Sequence, residues 1–351
     1  MTEPSAWEAL AKSVTNDPEK EIAELRQTVM RQQQQIAKKD RRDAMVSAAI
    51  TDAVKDVMLA RGVPRQVPAP KRDMRRKARP EVALMHFTDW QGSKITPTYN
   101  SDVMRQRVER AWQKVDELTE IGRAHHPVRD AVILFGGDMI EGLFNYPAQL
   151  NEVDKTLFGQ WADCSQLVGD TVRWALGSFE RVTVFAEWGN HGRIGSKRAE
   201  VPKGDNFDRM VYEHARKSAG LVGHPRLVWE DCPEDIQRVE IGEYRALLMH
   251  GDEVGRNGFA SPTAIVQHAN RWRSGAYPWP FRDVYLGHYH THAEWPMANG
   301  EGAVFQTGST ESDNRYARDL LASSARPSQR LHFIDPQKGR VTSQHKLWLD
   351  D

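Results

Sequence analysis

The run AVILFGGDMIEG at 131–142 constrains this chain most. Ala131 to Phe135 are uniformly apolar, a pattern that suits a strand only if both of its faces are buried. Gly136 and Gly137 end the run and deliver Asp138, then Glu141, into the following loop. In an α/β fold, a buried strand that ends in a carboxylate presents that group at the C-terminal sheet edge. One such turn can be purely structural. Repetition of the pattern is what carries information.

From Glu81 onward strand and helix patterns alternate. Strand 82–89 precedes a helix at 101–124, with Val103, Val108, Val115 and Leu118 inward. Strand 131–135, helix 156–178, strand 181–188 and helix 206–219 follow. After Leu221 the text becomes strand-rich, at 226–230, 236–241, 244–250, 284–288, 303–307, 330–335 and 341–349. Alternation followed by strands predicts a layered α/β sandwich. The segment SGAYPWP at 274–280 fits a loop over a site or simple packing.

The 80 residues before this domain differ in kind. Residues 19–61 lack proline and keep apolar residues on alternating steps of three and four, with polar Gln32, Lys39 and Asp43 at the centre. That register predicts a helix or coiled coil over 1–61, and a homodimer seam through 19–60. A basic, proline-rich linker spans 62–80, where Arg61, Arg65, Lys71, Arg72, Arg75, Arg76, Lys77 and Arg79 face only Asp73. Such a run can track a phosphate backbone or stay solvated and extended. Over the whole 351 residues basic and acidic side chains balance at 48 each, so net charge selects no partner. The two cysteines, Cys164 and Cys232, form no metal-type cluster and predict a reduced compartment. No apolar run approaches the ~20 residues of a membrane span, and the start lacks a signal-peptide pattern. A cytoplasmic protein without membrane contact is expected.

The chemistry sits at the strand ends. Strand 82–88 runs into Asp89-Trp90-Gln91, and the 131–135 strand into Gly137-Asp138. The next runs into Gly189-Asn190-His191, and the last two into His250-Gly251-Asp252 and Gly287-His288-Tyr289-His290. Five strand ends thus supply Asp, Asn or His, most beside a glycine that permits a tight turn. These imidazole and oxygen donors suit Mn²⁺, Fe or Zn²⁺ rather than a thiolate site.

In this order the five segments resemble the calcineurin-like metallophosphoesterase superfamily over roughly residues 82–310. The resemblance implies an α/β/β/α sandwich across 81–351 and two divalent metal ions, Mn²⁺ first, with Fe, Zn²⁺, Mg²⁺ or Ni²⁺ as others. Carried over by residue, Asp89 and His290 hold the first ion, Asn190, His250 and His288 the second, and Asp138 bridges. In-line attack on phosphorus by a metal-bridging hydroxide follows from the same resemblance. His191 matches the histidine that contacts phosphate and protonates the leaving oxygen. Arg193, in the basic loop with Lys197, Arg198 and Lys203, is the candidate phosphate clamp.

Two departures stand out. The family's first motif is usually Asp-x-His, and here Gln91 takes the histidine's place. A neutral amide is a weaker ligand, so the first ion is expected to bind more weakly. Gly192 stands where an acidic residue commonly follows Asn-His, which leaves Glu141 as the natural partner for His191. The core also looks like phage-encoded, repair-exonuclease-like members, which with the basic stretches points to nucleic acid as partner and substrate. Those nucleases typically carry a histidine at the position of Glu141, whereas phosphatase-like members carry a carboxylate there. A phosphomonoesterase and a DNA-binding scaffold with a weak core are the alternatives. No GxxxxGK[ST] motif occurs, so an ATPase partner would be a separate chain.

Overall fold

A computed structural model of the chain describes residues 66–73, 78–145, 147–194, 204–230, 236–254, 260–313 and 326–350, with Gln27 and Met30. The chain divides into two compact units, Met1–Gly62 and Val63–Asp351. The expected helix over 1–61 and its dimer seam lie outside the described residues, as do Arg61, Arg65, Arg75, Arg76 and Lys77 of the linker.

Two sheets form the second unit. The first runs β11-β10-β1-β2-β3-β4, built from β1 (Glu81–Phe87), β2 (Val128–Phe135), β3 (Arg181–Ala186), β4 (Leu227–Trp229), β10 (Ser328–Asp335) and β11 (Arg340–Trp348). Strands β1 to β4 are parallel, and β10 and β11 close one edge in antiparallel register. The second runs β5-β6-β7-β9-β8, from β5 (Gln237–Ile241), β6 (Tyr244–Leu248), β7 (Asp283–Leu286), β8 (Ala293–Pro296) and β9 (Ala303–Gln306). The period-two alternation of each strand splits its residues between two layers. Val82, Leu84, Val132, Leu134, Phe185 and Ile334 meet Val239, Ile241, Ala246, Leu248 and Phe305 between the sheets.

Helices cover the outer faces. On the first sheet lie α1 (Ser101–Arg123) and α2 (Leu157–Ser178), and α3 (Phe207–Ser218) packs beside α2. On the second, Ile265 and Ala269 of α4 (Pro262–Arg271) pack on Leu247, Val284 and Val304. The architecture is the expected layered α/β/β/α sandwich. Along α1 the fully inward positions are Met104, Val108, Ala111 and Val115, while Val103 and Leu118 are only half-buried. Helix α4 lies in the half expected to be strands. Its local signals are Ser261 capping Ala264 N and Pro262 in the first turn. The 274–280 segment packs: Tyr277 and Trp279 join the outer core beneath α4.

The described part of the linker lies on the domain. Arg226 donates to Val67 O (3.1 Å), Asp73 N to Glu180 (3.2 Å), and Arg129 to Asp73 O (3.0 Å). These partners sit where β2, β3 and β4 begin, at the sheet edge opposite the ends that carry Asp138 and Asn190.

A polar chain crosses the otherwise apolar space between the sheets. Arg330 donates to His332 Nε2 (3.1 Å), whose Nδ1 lies 2.8 Å from the Tyr285 hydroxyl. Tyr285 meets Tyr244 at 3.0 Å, and Tyr244 donates to Asp283 (2.8 Å). Arg330 Nε and His86 Nδ1 share Thr307 Oγ1. Burial first, then the Arg330 charge, pushes His86 and His332 well below the ordinary imidazole range.

Candidate metal centre

The C-terminal ends of β1, β2, β3, β6 and β7 converge. The loops after β1 and β2 run side by side, with Asp89 N on Gly137 O (3.0 Å) and Gln91 N on Asp138 O (3.0 Å). Among the described residues, five of the seven non-glycine residues with positive φ lie here: Asp89 (52°), Gln91 (48°), Asp138 (52°), His288 (65°) and His290 (55°). Such backbone is uncommon and costly outside glycine, and it concentrates where side chains must be aimed inward. Gly189 and Gly287 permit the approach, since a Cβ there would stand 2.0 Å from Asp138 Oδ1 and 2.2 Å from Asp89 Oδ2.

All seven side chains expected to hold metal meet. Asp138, His250 and His288 form one convergent group, and Asp89, Asp138 and His290 another. In the first of these, His250 Nε2 faces Asp138 Oδ2 (3.2 Å), Asn190 Oδ1 (3.1 Å) and His288 Nδ1 (3.3 Å). Its other nitrogen, Nδ1, lies 2.8 Å from Gly136 O. That contact takes the proton of the neutral ring and leaves Nε2 as an acceptor facing acceptors. A proton added there can satisfy one of them, whereas a cation satisfies all. In the other group, His290 Nε2 lies 3.2 Å from Asp89 Oδ1, and Gln91 Nε2 lies 3.2 Å from Asp138 Oδ2 and 3.3 Å from His290 Nε2. Gln91 Oε1 is buried without a hydrogen-bond partner among the described residues. Because the two amide positions interchange by a flip, this oxygen can take the place of the nitrogen and face Asp138 and His290. The donor set and the orphaned oxygen fit a divalent cation in each group.

Electrostatics agree with a site built for positive charge. Burial lifts Asp138, but His250 and His191 outweigh it and hold the carboxyl well below its usual range. Burial opposes charge on His250, yet Asp138 raises the ring to about 10. His191 rises to about 9, with burial opposing and Asp138 and Glu141 raising it.

Glu141 sits beside His191, as expected, and contributes twice. Its backbone carbonyl lies 3.0 Å from His191 Nδ1 and its Oε2 at 3.3 Å. Two partners of this pair are absent from any sequence motif. Lys94, 8% exposed, donates to Glu141 Oε1 (3.0 Å), and Gln149 bridges Glu141 O (2.6 Å) and His191 Nδ1 (3.2 Å). Arg193 is not a free clamp: its Nη2 binds Asp252 at 2.6 Å, while its Nε is buried without a partner among the described residues. Lys197, Arg198 and Lys203 lie outside the described residues.

Asp208 also escaped sequence reasoning. Its carboxylate accepts from Asp138 N (2.8 Å), Met139 N (3.0 Å) and Gly189 N (2.8 Å), which clamps the β2 and β3 loops together. Gly192 makes room for it, since a Cβ there would fall 2.2 Å from Asn206 Oδ1 and 3.2 Å from Asp208 Cγ. The carboxylate missing after Asn190-His191 thus arrives from the first turn of α3. Burial, then Asp138, raises it to about 6.

No protein-family model and no curated protein matches the sequence. Solved structures give distant likenesses. Vps29 of Entamoeba histolytica, solved with Zn²⁺, is 11% identical, with 76% of this chain and 99% of that chain covered and a TM-score of 0.34. A hypothetical protein from Pyrococcus horikoshii is 14% identical over 77% and 89%, with a TM-score of 0.37. A predicted phosphoesterase from Streptococcus pneumoniae is 11% identical over 77% and 98%, with a TM-score of 0.29. At these scores likeness carries no functional argument, and the residues themselves must.

Proposed function

We propose that the chain is a metal-dependent phosphoesterase that hydrolyses phosphodiester bonds, with nucleic acid as its substrate class. The observation that carries this reading is Asp138, whose carboxylate belongs to both convergent groups, as a two-cation centre requires. In this reading Asp89, Gln91 and His290 hold one divalent cation, and Asn190, His250 and His288 hold the second. Asp138 serves both, and Mn²⁺ is the ion to try first. Bound cations would supply Lewis-acid activation of water and neutralise charge on the phosphoryl oxygens.

The chain's own residues supply the rest. His191 as imidazolium gives its proton to the leaving oxygen. Glu141, backed by Lys94, occupies His191 Nδ1 and so leaves Nε2 to do this. The Arg193 guanidinium takes a phosphate oxygen, with Asp252 fixing its plane. Nucleic acid would enter on the side of Arg193, since the described linker lies at the far sheet edge. Pairing through residues 19–60, a separate ATPase chain and a cytoplasmic setting belong to the same proposal.

One observation favours a second reading. A carboxylate at position 141 beside His191 is what phosphatase-like members carry, so a phosphomonoesterase acting on phosphoprotein or nucleotide is the alternative. A panel at fixed Mn²⁺ separates them: single- and double-stranded DNA, bis-p-nitrophenyl phosphate and p-nitrophenyl phosphate. Cleavage of DNA and the diester, lost in His191→Ala, is the expected result. Hydrolysis of the monoester alone selects the second reading, and DNA binding without turnover rejects both.

A further inference from the structure

The Thr307–Glu311 loop after β9 lies outside every motif discussed above, yet it wraps the backbone of Asp89. Ser309 Oγ donates to Asp89 O (2.6 Å), and Thr310 N approaches the same oxygen at 3.3 Å. Arg107 of α1 holds Thr310 O at 2.7 Å, and Glu311 N donates to Ser309 Oγ (2.9 Å). The loop so fixed brings the Glu311 carboxylate, 4% exposed, to 2.6 Å from His290 Nδ1. Glu311 is not in the convergent group of Asp89, Asp138 and His290, so it acts through the imidazole.

His250 and His290 differ in this respect. His250 rests its Nδ1 on a neutral peptide carbonyl, that of Gly136. His290 rests its Nδ1 on a full carboxylate. A carboxylate behind a ligating histidine fixes the ring and makes its far nitrogen more basic, and losing it costs roughly 10–100-fold in metal affinity. His290 has this support in the same group in which Gln91 offers only a neutral amide.

We propose that Glu311 is a positioning residue that strengthens His290 as a metal ligand and thereby offsets Gln91. The inference rests on the two-cation reading. It revises the expectation that the first ion binds weakly: the deficit of Gln91 is compensated by a residue 220 positions away in the sequence, and it surfaces only when Glu311 is removed.

The test is isothermal titration of the metal-free full-length chain with Mn²⁺, comparing wild type, Glu311→Gln and Glu311→Gln/Gln91→His. Wild type should take up two ions. Glu311→Gln should weaken one of them by roughly 10–100-fold and leave the other within about threefold. Adding Gln91→His should restore most of the loss, which a merely structural lesion would not allow. If Glu311→Gln does not fold, Glu311→Asp carries the test: the charge stays but the reach shortens, and the same step alone should weaken. Titration curves identical to wild type, equal weakening of both steps, or no rescue by histidine would overturn the proposal. Uptake of no second ion by wild type would instead reject the two-cation reading.

Discussion

Asp138 faces His250 with one oxygen and takes the His191 amide on the other at 2.7 Å, so both lobes of its carboxylate are committed. Glu141, three residues on, lies in neither convergent group, and its side chain and carbonyl meet His191, Lys94 and Gln149 among the described residues. The two carboxylates should therefore fail differently. Asp138→Asn removes the shared charge, and titration with Mn²⁺ should show neither ion bound at concentrations that saturate wild type. Glu141→Gln should bind metal like wild type and lose turnover, by up to the ~10²–10⁴ that a general acid contributes. A normal kcat in Glu141→Gln would reject its role. At this scale the candidate ligands were readable from sequence, because they fall at strand ends, most beside a turn residue. Lys94, Gln149, Asp208 and Glu311 were not, because polar residues in loops carry no periodic signal.

At the scale of elements, the strands do two jobs. Their ends aim the site, and the middles of β1, β7 and β10 bury His86, Tyr285 and His332 in the inter-sheet space. The direction of the polar chain requires a neutral His332, which accepts from Arg330 and donates to Tyr285. Both His86 and His332 have folded values lowered below the unfolded imidazole. Their stabilising contribution is therefore full above about pH 6.5 and lost as pH falls below it, when the unfolded chain takes up protons that the fold refuses. The raised groups, His191, His250, His290 and Asp208, oppose this in part, because the unfolded imidazole is only half protonated at about pH 6.5 and Asp208 takes up its proton near pH 6 in the fold. In urea unfolding of the metal-free chain, wild type should lose about 1 kcal/mol more than His332→Gln between pH 6.5 and 5.5, which isolates one lowered histidine from the groups that oppose it. An equal loss in the two across that interval would contradict the neutral network. Helix α4 shows why an element can escape a pattern search: only Ile265 and Ala269 of it are buried, too few to mark a period.

For the whole molecule, the layered sandwich places Asp89, Asp138, Asn190, His250 and His288 at one sheet edge and the described linker at the other. A ligand that bridges ends of strands from two sheets stabilises the folded state alone, by RT ln(1 + [L]/Kd). Mn²⁺ at a hundred times its Kd should raise the unfolding free energy by about 2.7 kcal/mol per site. Chelator should reverse the gain and abolish turnover together. An unfolding midpoint indifferent to Mn²⁺ would count against cations binding in the native fold.

Sequence alone determined the strand-helix alternation, and the Asp, Asn and His residues at five strand ends. Both are local, since burial on two faces dictates an apolar run and a turn dictates glycine beside the ligand. Tertiary structure decided what supports those ligands. Asp208 clamps Asp138 from 70 residues away, Lys94 reaches Glu141 across 47, and Glu311 backs His290 across 21. Such contacts depend on how loops from separate strands come together, and a hydrogen bond between distant loops leaves no spacing to read. The strand at 131–135 announces its carboxylate, but only the packed sheets show which groups hold that carboxylate in place.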